Sequence, residues 1–158
     1  MAYTIRPFRE EDAPALAALT LAAIRAVGAH GYSPEQVEVW ASRHPGPERF
    51  LERALSGHRI FVAADVEDQA VAYTLLEGDG HLDMLYCHPD HTRQGLADEL
   101  LAHAEQDARS HEMTRLYTEA SELARPAFER AGYSVTHRRD FEIEGVAIHN
   151  YAMEKPLD

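Results

Sequence analysis

The sequence predicts an α/β fold: one domain with a mixed, mostly antiparallel sheet that contains one parallel β–α–β crossover and is flanked by helices. Apolar residues recur at helical spacing in the first third of the chain and at a spacing of two over residues 59–87. A helical stretch then lies between two strand-like stretches within residues 81–120. Because such a crossover joins parallel strands, we expect one parallel pair in an otherwise antiparallel sheet.

Size and composition limit the class of protein. The 158 residues fit a single domain, 1–158, and the hydrophobic fraction of 45% indicates a folded chain. The one cysteine, Cys87, excludes an internal disulfide and suits the cytoplasm. A formal net charge of −12 argues against nucleic acid and anionic membranes as partners, and it favours a cationic or amine-bearing partner.

The first half is predicted to hold one strand and three helices. Residues 3–8 alternate like a strand, and residues 14–27 carry an apolar stripe that is too short to span a membrane. Residues 33–36, Ser-Pro-Glu-Gln, match a capping box that begins the second helix. The third helix, over residues 47–56, is expected to bury Phe50, Leu51, Ala54 and Leu55.

The second half is predicted to alternate strands and helices. The expected strands are 59–65, 70–77, 81–87, 114–120, 133–143 and 146–154, and the expected helices are 94–110 and 121–132. Turn residues separate these stretches, and the last two strands meet at a Glu-Gly turn.

Residues 88–101, HPDHTRQGLADELL, join a strand to an amphipathic helix through a polar turn. Unpaired backbone N–H groups at a helix N-terminus, together with the helix dipole, favour an anion such as phosphate. Gly95 has no Cβ to hold an anion away from the backbone, and Arg93 adds a positive charge. An ordinary strand–helix turn would also contain such a glycine, so both interpretations stay open.

Three histidines near this turn raise a metal site as another interpretation. The spacing of His81, His88 and His91 matches no common ligand pattern, and no acidic residue recurs at a fixed distance from them. With ten histidines in the chain, some will cluster by chance. We therefore predict no metal site.

Three segments, in order along the chain, resemble the GNAT superfamily of N-acetyltransferases. Residues 81–108 are similar to its acetyl-CoA signature: a strand, a His-Pro-acid turn and a Gln/Arg-x-x-Gly-x-Gly/Ala stretch that opens a helix. Residues 5–19 resemble the opening strand and helix of the family, and residues 120–133 resemble its late helix. The resemblance implies a GNAT-like fold and transfer of an acetyl group from acetyl-CoA to a primary amine, by direct attack in a ternary complex.

The resemblance also implies where acetyl-CoA binds. The backbone N–H groups of residues 93–97 are expected to bind its pyrophosphate, and the backbone of Leu85 and Cys87 to pair with its pantetheine arm. Ser121 stands where the family often has an Asn that contacts this arm, and Thr92 replaces the usual Gln/Arg, where it either weakens a contact or caps the helix. The expected cofactor residues are Leu85, Tyr86, Cys87, Thr92, Arg93, Gln94, Gly95, Leu96, Ala97 and Ser121.

The transfer needs a base, because an alkylamine has a pKa of roughly 10 and arrives protonated. His81 occupies a position where some members of the family carry a base, and Asp83 follows on the same face of the strand. A histidine beside a carboxylate can titrate near neutral pH, although a surface histidine with a solvated neighbour is the alternative. A backbone N–H near Cys87 is expected to stabilise the oxyanion, and Cys87 itself is expected to be a small buried hydrophobe.

The acceptor and the protonation of the leaving group stay open. The frequent catalytic Tyr of the family is Phe128 here, which has no proton to give the departing thiolate. Tyr32 and Trp40 are expected to line a pocket for a small amine whose charge Glu35 and Glu38 attract, with core packing of Trp40 as the alternative.

The predicted partner is therefore a small-molecule amine or a protein amine, and a homodimer is among the assemblies considered. A non-catalytic acyl-CoA-binding or sensing domain is the alternative function, which Phe128 favours.

Overall fold

The computed structural model describes residues 2–44 and 46–158. Its strands are β1 (Thr4–Pro7), β2 (Arg59–Ala64), β3 (Ala70–Leu76), β4 (Leu82–Cys87), β5 (Arg115–Ala120), β6 (Ser134–Ile143) and β7 (Val146–Pro156). Its helices are α1 (Ala13–Gly28), α2 (Pro34–Ala41), α3 (Glu48–Leu55), α4 (Leu96–Ser110) and α5 (Arg125–Arg130). The predicted α/β class is confirmed, and no helix among the described residues is long and apolar enough to cross a membrane.

The strands form two antiparallel sheets, one in the order β1-β2-β3-β4 and one in the order β5-β7-β6. The predicted crossover runs from β4 through α4 to β5, and a parallel bridge between His81 and Tyr117 joins the sheets. There the Tyr117 N–H donates to the Gly80 carbonyl at 3.0 Å, and the Thr118 hydroxyl donates to the Leu82 carbonyl at 2.7 Å. Beyond this bridge, β4 and β5 separate.

A β-bulge changes the direction of the side chains along β4. Leu82 is paired with Leu76 and Met84 with Leu75, so Asp83 is an extra residue on β4. Leu82 therefore packs in the core beneath α4, whereas Met84 packs with α1 and α3 on the opposite face. Strict alternation along the strand would place Leu82 on the same face as Met84 and Tyr86, but the inserted residue moves Leu82 to the opposite face.

Helices cover both faces of the four-stranded sheet, and β3 is buried along its whole length. The capping box of α2 is confirmed: the Gln36 N–H donates to Ser33 Oγ at 3.1 Å, and the Ser33 N–H donates to Gln36 Oε1 at 2.9 Å. Gln36 also donates to the carbonyl of Ala147, which ties α2 to β7.

Two predictions about the helices needed correction. Leu55 is 87% exposed, because it lies in the last turn of α3 and points away from the side on which Phe50 is buried. The late helix begins at Arg125 instead of Ser121. Ser121 Oγ accepts the Ala124 N–H, and its carbonyl accepts the Arg125 N–H, so residues 121–124 form a turn before α5.

Candidate active site

A cleft of about 450 Å³ opens where β4 and β5 separate. Its walls come from the end of β4, the turn into α4, the first turn of α5 and the last turns of α1. Of the predicted cofactor residues, only Gln94 is not among the described residues that line the cleft. Those that line it are Leu85, Tyr86, Cys87, Thr92, Arg93, Gly95, Leu96, Ala97 and Ser121.

The edge of β4 offers unpaired backbone groups to this cleft. Just after β4, the His88 N–H donates to the Val71 carbonyl at 2.8 Å, towards β3. Because the backbone groups of a strand alternate in direction, those of Leu85 and Cys87 point away from β3 into the gap. Among the described residues, no strand pairs with β4 on that side past the bridge at His81. An extended molecule can bind such an edge as an additional strand.

The N-terminus of α4 also faces the cleft with free N–H groups. Gly95 precedes the helix with φ +78°, and no side chain in the described part of the chain caps it. Thr92 Oγ1 donates to the Pro89 carbonyl at 3.2 Å, so Thr92 stabilises the turn and is not a helix cap. A Cβ added to Gly95 would meet no atom within 4 Å, because it would project into open space.

Positive charge is concentrated at this end of the cleft, although the whole chain is acidic. Arg93 and Arg130 both line the cleft. Asp98, in the first turn of α4, would repel an anion, but Arg130 pairs with it at 3.1 Å and offsets its charge. The surroundings of the helix N-terminus therefore suit an anionic group.

A smaller cavity of about 120 Å³ adjoins the cleft. The two share the wall residues Trp40, Leu85, Tyr86, Ser121 and Ala124. The rest of the smaller cavity, here called the acceptor cavity, is mostly apolar but includes Asp83, Glu119 and His149. A substrate in the acceptor cavity would therefore meet a molecule bound in the cleft at the end of β4.

Tyr32 and Trp40 both line this cavity, and their rings meet edge to face with centroids 5.5 Å apart. The Tyr32 hydroxyl accepts the Glu122 N–H at 2.9 Å and donates to the His149 carbonyl at 3.0 Å. Burial raises the pKa of Tyr32, so its hydroxyl stays protonated. Tyr32 thus supplies an aromatic wall, and half-buried Trp40 lines both cavities while packing against it.

The carboxylates of the acceptor cavity are not those expected from the sequence. Glu35 and Glu38 are exposed and are not among the described residues that line this cavity. Glu38 Oε1 lies 3.6 Å from Arg25 Nε. Asp83 and Glu119 line the cavity instead.

His81 lies behind this wall, in a cluster of carboxylates. Its Nδ1 contacts Glu77, its Nε2 lies 2.8 Å from Glu119 Oε1, and Asp83 Oδ1 is 4.0 Å from Nδ1. Its ring stacks on Tyr117 with centroids 4.8 Å apart. Burial lowers the pKa of His81, but the bonds to Glu119 and Glu77 outweigh burial and raise the pKa to about 9. The ring is therefore charged at neutral pH, and the expected titration near neutrality was wrong.

The same cluster contains ligand atoms that could hold a metal ion. Those of Glu77, His81 and Asp83 lie within 4.8 Å of one another. Arg53 already supplies a positive charge there, since it donates to Asp83 at 2.9 Å and to Glu77 at 3.1 Å. The two other histidines of the metal interpretation lie past the far end of β4, within residues 88–91.

A second histidine–carboxylate pair borders the acceptor cavity, and sequence reasoning missed it. His149 Nε2 lies 2.6 Å from Glu122 Oε2, and the Tyr151 hydroxyl donates to the same oxygen at 2.8 Å. These hydrogen bonds lower the pKa of Glu122, so its carboxylate stays charged. No sequence motif connects these residues, which come from the turn before α5 and from β7.

Cys87 and Phe128 have environments that limit their chemistry. Burial raises the pKa of the Cys87 thiol to about 11, and among the described residues Sγ hydrogen-bonds only to the carbonyls of His88 and His91. The thiol is therefore protonated at neutral pH and a poor nucleophile. Phe128 is 2% exposed and packs edge to face on Tyr133, with ring centroids 5.1 Å apart, so it supplies no proton.

Comparisons with known proteins agree with this geometry. The sequence profile described as "Acetyltransferase (GNAT) domain" matches residues 29–155. The uncharacterised N-acetyltransferase YafP of Escherichia coli K12 is 28% identical over 149 residues, covering 94% of this chain and 93% of that protein. A GCN5-related N-acetyltransferase from Rhodopseudomonas palustris has a similar structure, with a TM-score of 0.89, 32% identity and coverage of 99% of this chain and 97% of that one. The PaiA N-acetyltransferase of Thermoplasma acidophilum, solved with coenzyme A, has a TM-score of 0.79 and 20% identity. That comparison covers 99% of this chain and 100% of that one.

Proposed function

This chain belongs to the GNAT family of acetyltransferases, and we propose that residues 1–158 act as one cytoplasmic N-acetyltransferase domain, transferring the acetyl group of acetyl-CoA to a primary amine in a ternary complex. One observation carries the proposal: an unpaired strand edge and an uncapped helix N-terminus face the same cleft. The strand edge suits the amide-bearing pantetheine arm, and the helix N-terminus suits the pyrophosphate.

The described residues fit acetyl-CoA along the whole cleft. The N–H groups of residues 93–97 bind the pyrophosphate, with Arg93 and Arg130 beside it. Leu85 and Cys87 pair with the pantetheine arm through their backbone. Ser121 Oγ accepts one hydrogen bond within the protein, so its hydroxyl proton is free to donate to a carbonyl of the arm.

The reaction takes place where the cleft and the acceptor cavity meet. The amine binds in the acceptor cavity, against Tyr32 and Trp40, and attacks the thioester carbonyl. A backbone N–H near Cys87 donates to the developing oxyanion. Phe128 gives no proton, so the coenzyme leaves as a thiol with a proton taken from the attacking nitrogen or from water.

His81 and Asp83 remain the base predicted from the sequence. Asp83 lines the acceptor cavity. His81 is not among the described residues that line it but hydrogen-bonds to Glu119, which does. Because the pKa of His81 is about 9, this group accepts protons only as the pH approaches that value. It therefore serves as a base in the alkaline range.

Binding and turnover test the proposal directly. Isothermal titration should show acetyl-CoA binding at or below about 1 mM, and a thiol-release assay should detect turnover on at least one member of a panel of amines. Gly95→Ala should weaken acetyl-CoA binding about tenfold, since a Cβ enters the cleft and a positive φ strains the turn. Gly57→Ala is the matched control: it has φ +90° and equally open space, but lies outside the cleft. Equal affinity losses in both variants would contradict the proposed binding mode.

A non-catalytic acyl-CoA sensor is the second candidate function, and the buried Phe128 favours it. The same experiments separate the two functions. A sensor would bind acetyl-CoA in the same Gly95-dependent way, yet release no thiol with any amine.

A further inference from the structure

We propose that His149, held in place by Glu122, takes the proton from the acceptor amine at neutral pH. The inference rests on the proposed function, because His149 has this role only if an amine is acetylated from the acceptor cavity. His149 is a further catalytic residue in this scheme, and Glu122 is its positioning residue.

The backbone and ring of His149 are held firmly. It lies on β7, where the backbone pairs with Asp140 of β6, and two residues further along, β7 also pairs with β5. Its carbonyl accepts the Tyr32 hydroxyl, and its ring contacts those of Tyr32 and Tyr151, with centroids 5.5 and 5.6 Å away. Its side chain is 17% exposed and lines the acceptor cavity, so a bound amine can reach it.

The contact with Glu122 determines which ring nitrogen is available. An ionised carboxylate only accepts hydrogen bonds, so Nε2 carries the proton that Glu122 Oε2 accepts at 2.6 Å. In the neutral imidazole, Nδ1 then has a free lone pair. Within residues 2–44 and 46–158, Nδ1 has no hydrogen-bond partner, so it is available to a substrate proton. A base oriented by a third group in this way is a recurrent catalytic arrangement.

His81 is poorly suited to the same role at neutral pH. Both of its ring nitrogens contact carboxylates, and it is not among the described residues that line the acceptor cavity. The carboxylates that do line it, Asp83 and Glu119, are suited to attracting the ammonium group of the substrate. The acceptor cavity thus combines two carboxylates that face the cation with His149, which accepts its proton.

The proposed step balances atoms and charge. The bound R–NH3⁺ transfers one proton to His149 Nδ1, and the neutral amine forms a C–N bond to the thioester carbonyl. As the C–S bond breaks, the sulfur leaves with the electron pair and gains the second nitrogen proton, giving the amide R–NH–CO–CH3 and free thiol. The imidazolium then loses its proton to solvent.

Several charged or titratable groups surround His149. They are Glu122 before α5, Arg125 on α5, Tyr32 before α2, Asp140 and Arg138 on β6, and Tyr151 on β7. Asp140 and Arg138 pair with each other at 3.1 Å, so their charges largely cancel. Of the carboxylates, only Glu122 bonds to the ring in the described structure, so it is the group that orients His149.

The main test is the pH–rate profile of His149→Gln, because Gln can still donate to Glu122. At pH 7, kcat/KM should fall about 100-fold or more, while acetyl-CoA affinity and melting temperature stay within experimental error. The acid limb of the profile should disappear. His30→Gln, which changes an exposed histidine near Tyr32, is the control and should keep the wild-type profile.

Glu122→Gln provides a second test that keeps the hydrogen bonds, since its amide oxygen can accept from both His149 and Tyr151. Losing the negative charge should move the acid limb to lower pH, by about one unit. If the wild type turns over, the inference fails and the proposed function stands in either of two cases. The acid limb does not move in Glu122→Gln, or the profile of His149→Gln is unchanged. If the wild type releases no thiol with any amine, the proposed function and this inference fail together.

Discussion

At the scale of single residues, the charge on His81 can be changed without touching a substrate. Glu77 contacts His81 but is not among the described residues that line either cavity. If His81 is the alkaline base, Glu77→Gln should shift the rise in kcat/KM near pH 9 to lower pH, by about one unit. Profiles measured with the same amine should show this shift, and the exposed variant Glu67→Gln should not. A limb that stays in place would assign that titration to the amine itself.

The same scale shows what sequence reasoning could and could not find. That the residues from Leu85 to Ala97 line one cleft could be predicted, because they follow one another through a single strand, turn and helix start. Glu119, Glu122 and His149 were missed because their contacts connect residues that are 38 and 27 positions apart. Only the pairing of β7 with β5 and β6 brings such residues to the same cavity.

At the scale of secondary-structure elements, the cleft depends on the bridge that holds β4 and β5 together at one end. Gly80 lies at this bridge with φ +98°, and an added Cβ would come within 2.2 Å of the Arg115 carbonyl oxygen. Gly80→Ala should therefore lower the free energy of unfolding by about 3 kcal/mol, because the β5 backbone must move. Gly57→Ala, which has a positive φ but open space, should lose only about 1 kcal/mol. Urea denaturation would measure both, and equal losses would show that the contact is relieved cheaply.

The strands and helices themselves were largely predictable, but their exact geometry was not. Periodicity located β4, yet the bulge at Asp83 depends on its register with β3, which no local pattern encodes. The turn at residues 121–124 was read as helix because its composition suits one, whereas Ser121 closes the turn through its side chain.

At the scale of the whole molecule, a cationic amine and the anionic acetyl-CoA need surroundings of opposite charge. The net charge of −12 attracts a cationic amine but repels the phosphates of acetyl-CoA. The α4 N-terminus and Arg93 counter that repulsion locally. A homodimer stays a prediction.

Two half-buried histidines should give the stability of the whole fold opposite dependences on pH. Burial lowers the pKa of His44 from 6.5 to about 4, so its contribution is complete above pH 6.5 and is lost as the pH falls through 4. The pKa of His81 is raised from 6.5 to about 9, so its contribution is complete below pH 6.5 and is lost as the pH rises through 9. The contributions of these two histidines to the free energy of unfolding should therefore sum to a maximum near pH 6.5.

The alkaline side of this curve can be assigned to one residue. Between pH 7 and 9 the folded protein holds on His81 almost one proton that the unfolded chain has released, so the free energy of unfolding should fall by about 1 kcal/mol per pH unit. Urea denaturation from pH 6 to 9 should show this slope in the wild type and in His30→Gln, and a nearly flat curve in His81→Gln. If the slope persists in His81→Gln, another group releases the proton, and the cluster around Glu77 and Glu119 does not hold His81 in its charged form.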